Sequence, residues 1–488
     1  MTQLDRRSFL RRSGAVVGGV GAAGPLSALM ASPALAGPRP NRFRRELQSP
    51  DNGGYGPLAP TPDLATGEVL LALPAGFEYV AFGRTGEMGS DGYPTPTRHD
   101  GMAAFDGGGN LVKLVRNHER GYSPIPFEGT PVGEEPEPLV GDDANAYDRN
   151  SGGGCTTATF DTAAFALTDS YISINGTSVN CAGGPTPQGT WLTCEETTNG
   201  TQSTFSDVED GPVNPDLVYE QDHGYIFEVP TQGVVTDPRP YRAMGRFSHE
   251  AIAVDPATGI VYETEDDNPS GFYRFLPVDP ANLGLGGRLQ MLRVTRRPEF
   301  DTRTAQRVSR PLLVDWVDID DPDPSYPTDF DDSDGSLVFQ QGFAQGGAIF
   351  ARLEGCWYGD GSVYINATSG GNAGLGQVWE YRPRGRERGT LTLVFESPNA
   401  GLLDSPDNIT VSPRGGLVLC EDGDDEQYLR GLDLEGRIFN LCLNQVSEDE
   451  DKEFAGATYS PDGSILFVNI QTPGISFAIR GPWGHGDL

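Results

Sequence analysis

The chain has 488 residues, enough for one large domain or two to three ordinary ones. Its 65 glycines and 39 prolines exceed a fifth of the residues, which suits many short strands and tight turns and argues against a helical fold. Thirty-five Lys and Arg against 69 Asp and Glu leave a net charge of −34, which repels nucleic acid and anionic membrane surfaces and excludes both as partners.

The chain opens on an address. Asp5-Arg6-Arg7-Ser8-Phe9-Leu10-Arg11 matches the twin-arginine export pattern, a Gly/Ala-rich apolar stretch follows over 14–31, and Ala34-Leu35-Ala36 offers a small-x-small cleavage site. We read 1–36 as a signal peptide that engages the twin-arginine translocase and is then removed. The stretch is too short and Gly-rich for a membrane anchor. The expected location is periplasmic or secreted. Residues 37–62 are Pro-rich and polar and read as a linker or surface arm. Residues 63–488 read as one catalytic domain. The six cysteines form no CxxC pair, so a zinc ribbon is not expected.

A weak internal repeat sets the fold. Segments starting at Asp100, Cys181, Glu250, Glu354, Asp407 and Ala455 each carry a short apolar run, a turn rich in Asp, Pro and Gly, and a β-rich run. That is strand, tight turn, strand. Further strand candidates begin near Gly224, Gly271, Gln377 and Gly436. Six unevenly spaced copies predict an all-β fold, a six-bladed β-propeller with long inserted loops. The main insertions are expected at about 129–170 and 277–334. No partner is needed by such a fold, which points to a monomer.

The phase of the repeat carries the chemistry. Six positions before the turn residues Asp106, Pro187, Pro256, Asp360, Pro413 and Pro461 stand Asp100, Cys181, Glu250, Glu354, Asp407 and Ala455. Five of these six are oxygen or sulfur metal ligands, although Asp, Glu and Cys (69 + 6 = 75) are under a sixth of the chain. In a propeller, equivalent positions on the innermost strands converge on one mouth of the axial channel. A ring of carboxylates stays ionised at close range only with cations present. A second set stands at the far end of each hairpin: Glu119, Glu195 with Glu196, Glu265 with Asp266, and Glu421 with Asp422. Antiparallel pairing returns these to the same mouth. The plain alternative is a solvated strand end. Cys181 reads either as a small buried hydrophobe or as a thiolate that recruits a transition metal.

Several strings are similar to those of the PhoX-type alkaline phosphatases: Asn117-His118-Glu119, Asn180-Cys181-Ala182-Gly183-Gly184, residues 189–196, His249-Glu250-Ala251, Arg352-Leu353-Glu354-Gly355, Ser405-Pro406-Asp407-Asn408, and residues 459–463 and 467–471. The resemblance runs from about 53 to 473. Gln188 departs from it, standing in a turn where the family has Trp. The resemblance implies a six-bladed propeller that hydrolyses phosphate monoesters outside the cytoplasm. It also implies a cofactor of ferric (Fe3+) and calcium (Ca2+) ions with a thiolate on iron. Carried over, Cys181, Glu196, Glu265 and Glu354 would hold iron, and Glu119, Glu250, Asp407 and Glu421 calcium. Arg352 would hold the substrate phosphate, beside Glu354 at the catalytic centre.

Only five histidines are present, so a His-rich two-metal site is not expected. His118 and His249 each precede a ligand Glu and are expected to support it by hydrogen bonding. Two other readings stand beside the phosphatase. One is a calcium-dependent propeller hydrolase of another class, acting on diesters, triesters or lactones. The other is a non-enzymatic binding propeller held by structural calcium.

Overall fold

The structure is a computed structural model and describes residues 46–121, 143–203, 205–206, 213–214, 218–328, 330–446 and 452–488. The leader expected over 1–36 and the start of the arm lie outside these residues. The protein is mostly β. Among the described residues one α-helix occurs, Leu337–Ala344, with short 3-10 turns around it.

All six expected hairpins are present, and each pairs antiparallel. They are His99–Asp106 with Leu111–His118, Asn180–Pro185 with Thr190–Glu195, and His249–Val254 with Val261–Glu265. The other three are Leu353–Gly359 with Ser362–Ala367, Pro406–Val411 with Leu417–Glu421, and Phe454–Tyr459 with Ile465–Ile470. Each hairpin is extended outward by one or more further strands into a sheet. The first strand of every hairpin touches the first strand of the next, and the sixth touches the first, so six sheet units, one per hairpin, form a closed ring around an axis. The third and fourth units are joined edge to edge into one nine-stranded sheet where Leu312–Asp318 pairs with Gly389–Glu396.

Chain ends seal the ring. Glu78–Phe82, from the N-terminal side, pairs with Ile475–Arg480 and completes the sixth sheet. Leu58–Pro62 and Val69–Pro74 extend the fifth sheet through the pair Leu71↔Asn444. Part of the expected arm is therefore strand. The two expected insertions are shorter than the sequence suggested. Gly153–Asp161 and Ala166–Thr177 belong to the first sheet, and Gly287–Val294 and Leu312–Asp318 to the third.

Apolar faces of neighbouring sheets pack on one another. Between the third and fourth lie Tyr262, Phe272, Trp316, Tyr381 and Leu391. Burial of such large side chains stabilises by about 1.5–3 kcal/mol each. This packing fixes the sheets and leaves the axial ends of the strands to carry chemistry.

Candidate metal centre

Every innermost strand has a bulge near its start. Pairing stops at His99 and resumes at Met102, and likewise between Asn180 and Gly183, His249 and Ile252, Leu353 and Cys356, Pro406 and Ile409, and Ala455 and Thr458. The first unpaired residue of each bulge is Asp100, Cys181, Glu250, Glu354, Asp407 and Gly456. A bulge re-aims a side chain and frees backbone groups from the ladder. Bulges of neighbouring sheets abut, and the second bulge residue is Gly or Ala in five of the six hairpins and Asn408 in the fifth. A Cβ on Gly101 would lie 2.5 Å from Ala182 Cα, and one on Gly355 2.5 Å from Asp407 O.

Five of the carbonyls freed by the bulges are taken by the preceding sheet. Asn117 donates to Cys181 O at 3.1 Å and Ala182 O at 2.7 Å. Thr264 donates to Glu354 O at 2.6 Å, Asn366 to Asp407 O at 2.9 Å, and Asn469 to Asp100 O at 2.6 Å. Buried carbonyls need such partners. The clamps tie the ligand backbone of one sheet to the next.

A second set of positions lies just beyond each hairpin's second strand. There the backbone N–H donates to the carbonyl preceding the first strand in all six cases. The bonds are Glu119 to Arg98 (3.0 Å), Glu196 to Val179 (2.8 Å), Asp266 to Ser248 (3.1 Å), Thr368 to Arg352 (2.9 Å), Asp422 to Ser405 (3.0 Å) and Gln471 to Glu453 (3.1 Å).

These positions bring four overlapping groups of ligand atoms together, each group within 4.8 Å: Cys181–Glu196–Glu250, Asp100–Glu119–Glu453, Glu250–Glu354–Asp407, and Asp407–Asp422–Glu453. Glu250, Asp407 and Glu453 are shared, so the groups are fused. Glu250 and Glu354 are fully buried. Burial pushes the Cys181 thiol well above its ordinary value, and the Glu250, Glu196 and Asp100 carboxylates push it further. The thiolate therefore needs a cation beside it to form.

Of the expected ligands, Cys181, Glu196, Glu354, Glu119, Glu250 and Asp407 stand in these groups. Glu265 and Glu421 do not. Glu265 accepts from Gly271 N at 2.9 Å, Tyr273 Oη at 2.6 Å and Ser336 Oγ. Burial pushes its carboxyl up to about 7 despite these bonds. Glu421 accepts from Asp404 N at 2.9 Å, Tyr428 N at 3.1 Å and Arg430 Nε at 2.7 Å. Glu195 is used in the same way, taking Ser178 N, Gly224 N, Tyr225 N and His223 Nδ1. These three close the loops beside the strand ends. The residues that follow them, Glu196, Asp266 and Asp422, occupy the axial position.

Glu453 was missed by counting back from the turn, which lands on Ala455. The sixth hairpin is one residue shorter between bulge and turn, so Gly456 holds the bulge position. Its φ is +63° and a Cβ there would meet Asp100 O at 2.4 Å, which leaves no room for a ligand side chain. Glu453, from the position preceding the strand, supplies the carboxylate instead.

Arg352 lies at the same mouth, 6% exposed. Asp266 holds its Nε at 2.9 Å and its Nη2 at 3.0 Å, and Nη2 also donates to Glu354. The two histidines take other partners. His118 bonds Thr97 O at 2.9 Å and Thr156 Oγ1 at 3.0 Å. His249 Nε2 bonds Gly245 O at 3.1 Å, and its Nδ1 lies 3.8 Å from the buried Glu263. Neither ring hydrogen-bonds a ligand carboxylate. The His249 carbonyl does accept from Cys181 Sγ at 3.3 Å.

The chain is similar to known proteins over most of its length. The family model described as Alkaline phosphatase PhoX matches residues 53–166 and 160–474. The solved structure of Pseudomonas fluorescens PhoX in complex with vanadate, a transition state analogue, is similar in fold. It has 18% identity and a TM-score of 0.65, covering 88% of this chain and 98% of that one. Virginiamycin B lyase from Staphylococcus aureus is far more distant, at 11% identity and a TM-score of 0.39, covering 83% of this chain and 99% of that one. A gluconolactonase from Xanthomonas campestris is equally distant, at 11% identity and a TM-score of 0.39, covering 88% and 98%. No curated protein matches the chain. With both segments of the family model spanning most of its length, the chain belongs to the PhoX family of alkaline phosphatases.

Proposed function

We propose that the protein is a metal-dependent phosphomonoesterase, an alkaline phosphatase that releases phosphate from organic esters outside the cytoplasm. The ring of six sheets is read as a six-bladed β-propeller whose axial mouth is the active site. The observation that carries this reading is the fused set of four ligand groups, with a buried thiol at one end and carboxylates elsewhere.

The donor set fits the iron and calcium that the family resemblance implies. Cys181, with Glu196 and Glu250, is the one group with a soft donor and suits ferric iron. Asp100, Glu119 and Glu453, and Asp407, Asp422 and Glu453, are all-oxygen and suit calcium. Glu354 stands between, with Glu250 and Asp407. When bound, such ions offset phosphate charge and acidify a water for in-line attack.

The protein's own groups do the rest. Arg352 holds the phosphoryl oxygens, a task suited to a planar fork of donors. Asp266 fixes the plane of that fork before substrate arrives, so little reorganisation is needed when charge develops. Glu354, bonded to the same guanidinium, aligns it with the ligand groups. Thr264, through the Glu354 carbonyl, anchors that alignment to the neighbouring sheet.

Export through the twin-arginine route, which carries folded proteins, suits a chain that must load metals before leaving the cytoplasm. The deciding experiment is hydrolysis of a chromogenic phosphate monoester by protein exported through its own leader, with and without a calcium chelator. Activity that is lost on chelation and restored by calcium is expected. No activity in fully metal-loaded protein would overturn the assignment.

A further inference from the structure

We propose that Arg98 is a specificity-determining residue. It holds a second anionic group, carried by the alcohol part of the ester whose reacting phosphate is held by Arg352. The assignment rests on the phosphomonoesterase reading above.

Arg98 and Arg352 occupy the same position in two hairpins. Each immediately precedes the first paired residue of an innermost strand, His99 or Leu353. Each carbonyl accepts from the residue beyond the hairpin's second strand, at 3.0 Å from Glu119 and 2.9 Å from Thr368. Both have left-handed backbone, φ +51° and +47°, a conformation uncommon outside glycine. The hairpins are the first and fourth in a closed ring of six, so the two positions face one another across the mouth. The equivalent residues in the other four are Val179, Ser248, Ser405 and Glu453. The positive charges at this level are thus confined to the two opposed positions.

Both guanidinium groups are tethered to the ligand groups beside them. Arg352 is held by Asp266 and Glu354. Arg98 Nη1 donates to Gln471 Oε1 at 3.2 Å. The Gln471 amide in turn donates to Glu119 Oε2 at 2.5 Å and Asp100 Oδ2 at 3.3 Å. Arg98 reaches its ligand group through the Gln471 amide, where Arg352 bonds two carboxylates directly. Arg98 is also the more exposed of the two. A partly exposed guanidinium opposite the phosphate-holding one suits the outgoing portion of a substrate. Phosphate and carboxylate share the geometry that such a fork recognises.

Simple charge balance among the mouth carboxylates is the competing role, and a substrate pair separates the two. Butyl phosphate and butane-1,4-diol bisphosphate share a leaving chain and differ in the second anion. The readout is the ratio of their kcat/KM values on metal-loaded protein, alongside bound metal by mass spectrometry and the unfolding midpoint. The wild type is expected to prefer the bisphosphate. Arg98→Asn, which tolerates left-handed backbone, is expected to lower that preference about tenfold, about 1.4 kcal/mol. Arg98→Lys keeps the charge without the fork and should lower it about threefold. It carries the test alone if the Asn variant does not fold. An unchanged ratio, whether both rates fall together or neither does, overturns the assignment. So does a wild type that cleaves butyl phosphate without preferring the bisphosphate. A metal-loaded wild type that cleaves neither ester contradicts the phosphomonoesterase reading first.

Discussion

The Asp266 carboxylate takes two hydrogen bonds from one edge of the Arg352 guanidinium, at 2.9 and 3.0 Å, with both side chains almost entirely buried. A bidentate pair fixes a plane as well as a distance. Asp266→Asn keeps the shape, loses the charge and can accept through only one oxygen. It is expected to raise KM for a phosphate monoester about tenfold while bound metal stays unchanged. Arg352→Lys removes the fork itself and should lower kcat/KM by about 100-fold or more. Equal kinetics in Asp266→Asn and wild type would show that Arg352 does not depend on this partner.

Neighbouring acids at a strand end face opposite ways, and this separates Glu421 from Asp422. Glu421 is paired with Arg430 in the interior, both almost wholly buried, and burial pushes its carboxyl up to about 7 against the pull of that arginine. Breaking a buried pair from one side costs about 3–5 kcal/mol. Glu421→Gln should therefore lower the unfolding free energy, with the metal content of the surviving folded protein close to wild type. Asp422→Asn should do the reverse, keeping the fold and weakening calcium binding through its group with Asp407 and Glu453. Unfolding curves and metal analysis on the same two preparations decide the matter. The opposite pattern would mean that Glu421 is the ligand.

That contrast also marks how far the sequence could be read. Hairpins are local, so six strand–turn–strand segments were legible without any register. Counting back from the turn found Asp100, Cys181, Glu250, Glu354 and Asp407 because those five hairpins have equal length between bulge and turn. It failed at the sixth, which is one residue shorter and puts Gly456 at the axial position. In the pairs Glu265–Asp266 and Glu421–Asp422 either acid could face the axis, and a one-residue slip exchanges the faces. The register, absent from a single sequence, puts Asp266 and Asp422 on the axial side. Glu453 closes a run of six charged residues, 448–453, and so reads as a solvated loop. The only signal for it would have been an alignment of the hairpins on the residue before each first strand. His118 and His249 failed for the reason that Glu265 did: adjacency in sequence is not adjacency on a strand face.

The clamps across sheet boundaries offer a further test. Asn366 donates to Asp407 O and is fully buried. Asn366→Ala leaves that carbonyl without its side-chain donor, at a cost of about 1–3 kcal/mol. It also loosens the backbone that carries Asp407, a residue of two ligand groups. Outer supports of metal ligands typically change affinity by about 10–100-fold. Calcium titration of the folded variant should therefore show weakened binding, with the signal of the Cys181 group preserved. Asn117→Ala should invert this, because its clamp falls on Cys181 and Ala182. Identical metal profiles for the two variants would show that the clamps stabilise the ring without positioning particular ligands.

The last prediction concerns pH. His223 is fully buried, with Nδ1 2.6 Å from Glu195 and Nε2 3.5 Å from Asp148. Burial alone would lower its pKa, but the two carboxylates outweigh it and raise the ring to about 9 from an ordinary 6.5. The folded protein thus holds a proton that the unfolded chain releases at lower pH. The resulting stabilisation is complete below about 6.5 and is lost as pH rises through about 9, with a slope of at most about 1.4 kcal/mol per pH unit. His223→Gln carries no such proton. The gap in unfolding free energy between wild type and His223→Gln should be widest near pH 6 and narrow steadily toward pH 9.5. The pair anchors the loop that follows Glu195, next to Glu196 of the Cys181 group, so an enzyme working in alkali would operate with this anchor partly released. A gap independent of pH would show that the ring is neutral in the folded protein and that Glu195 is held by its three backbone donors alone.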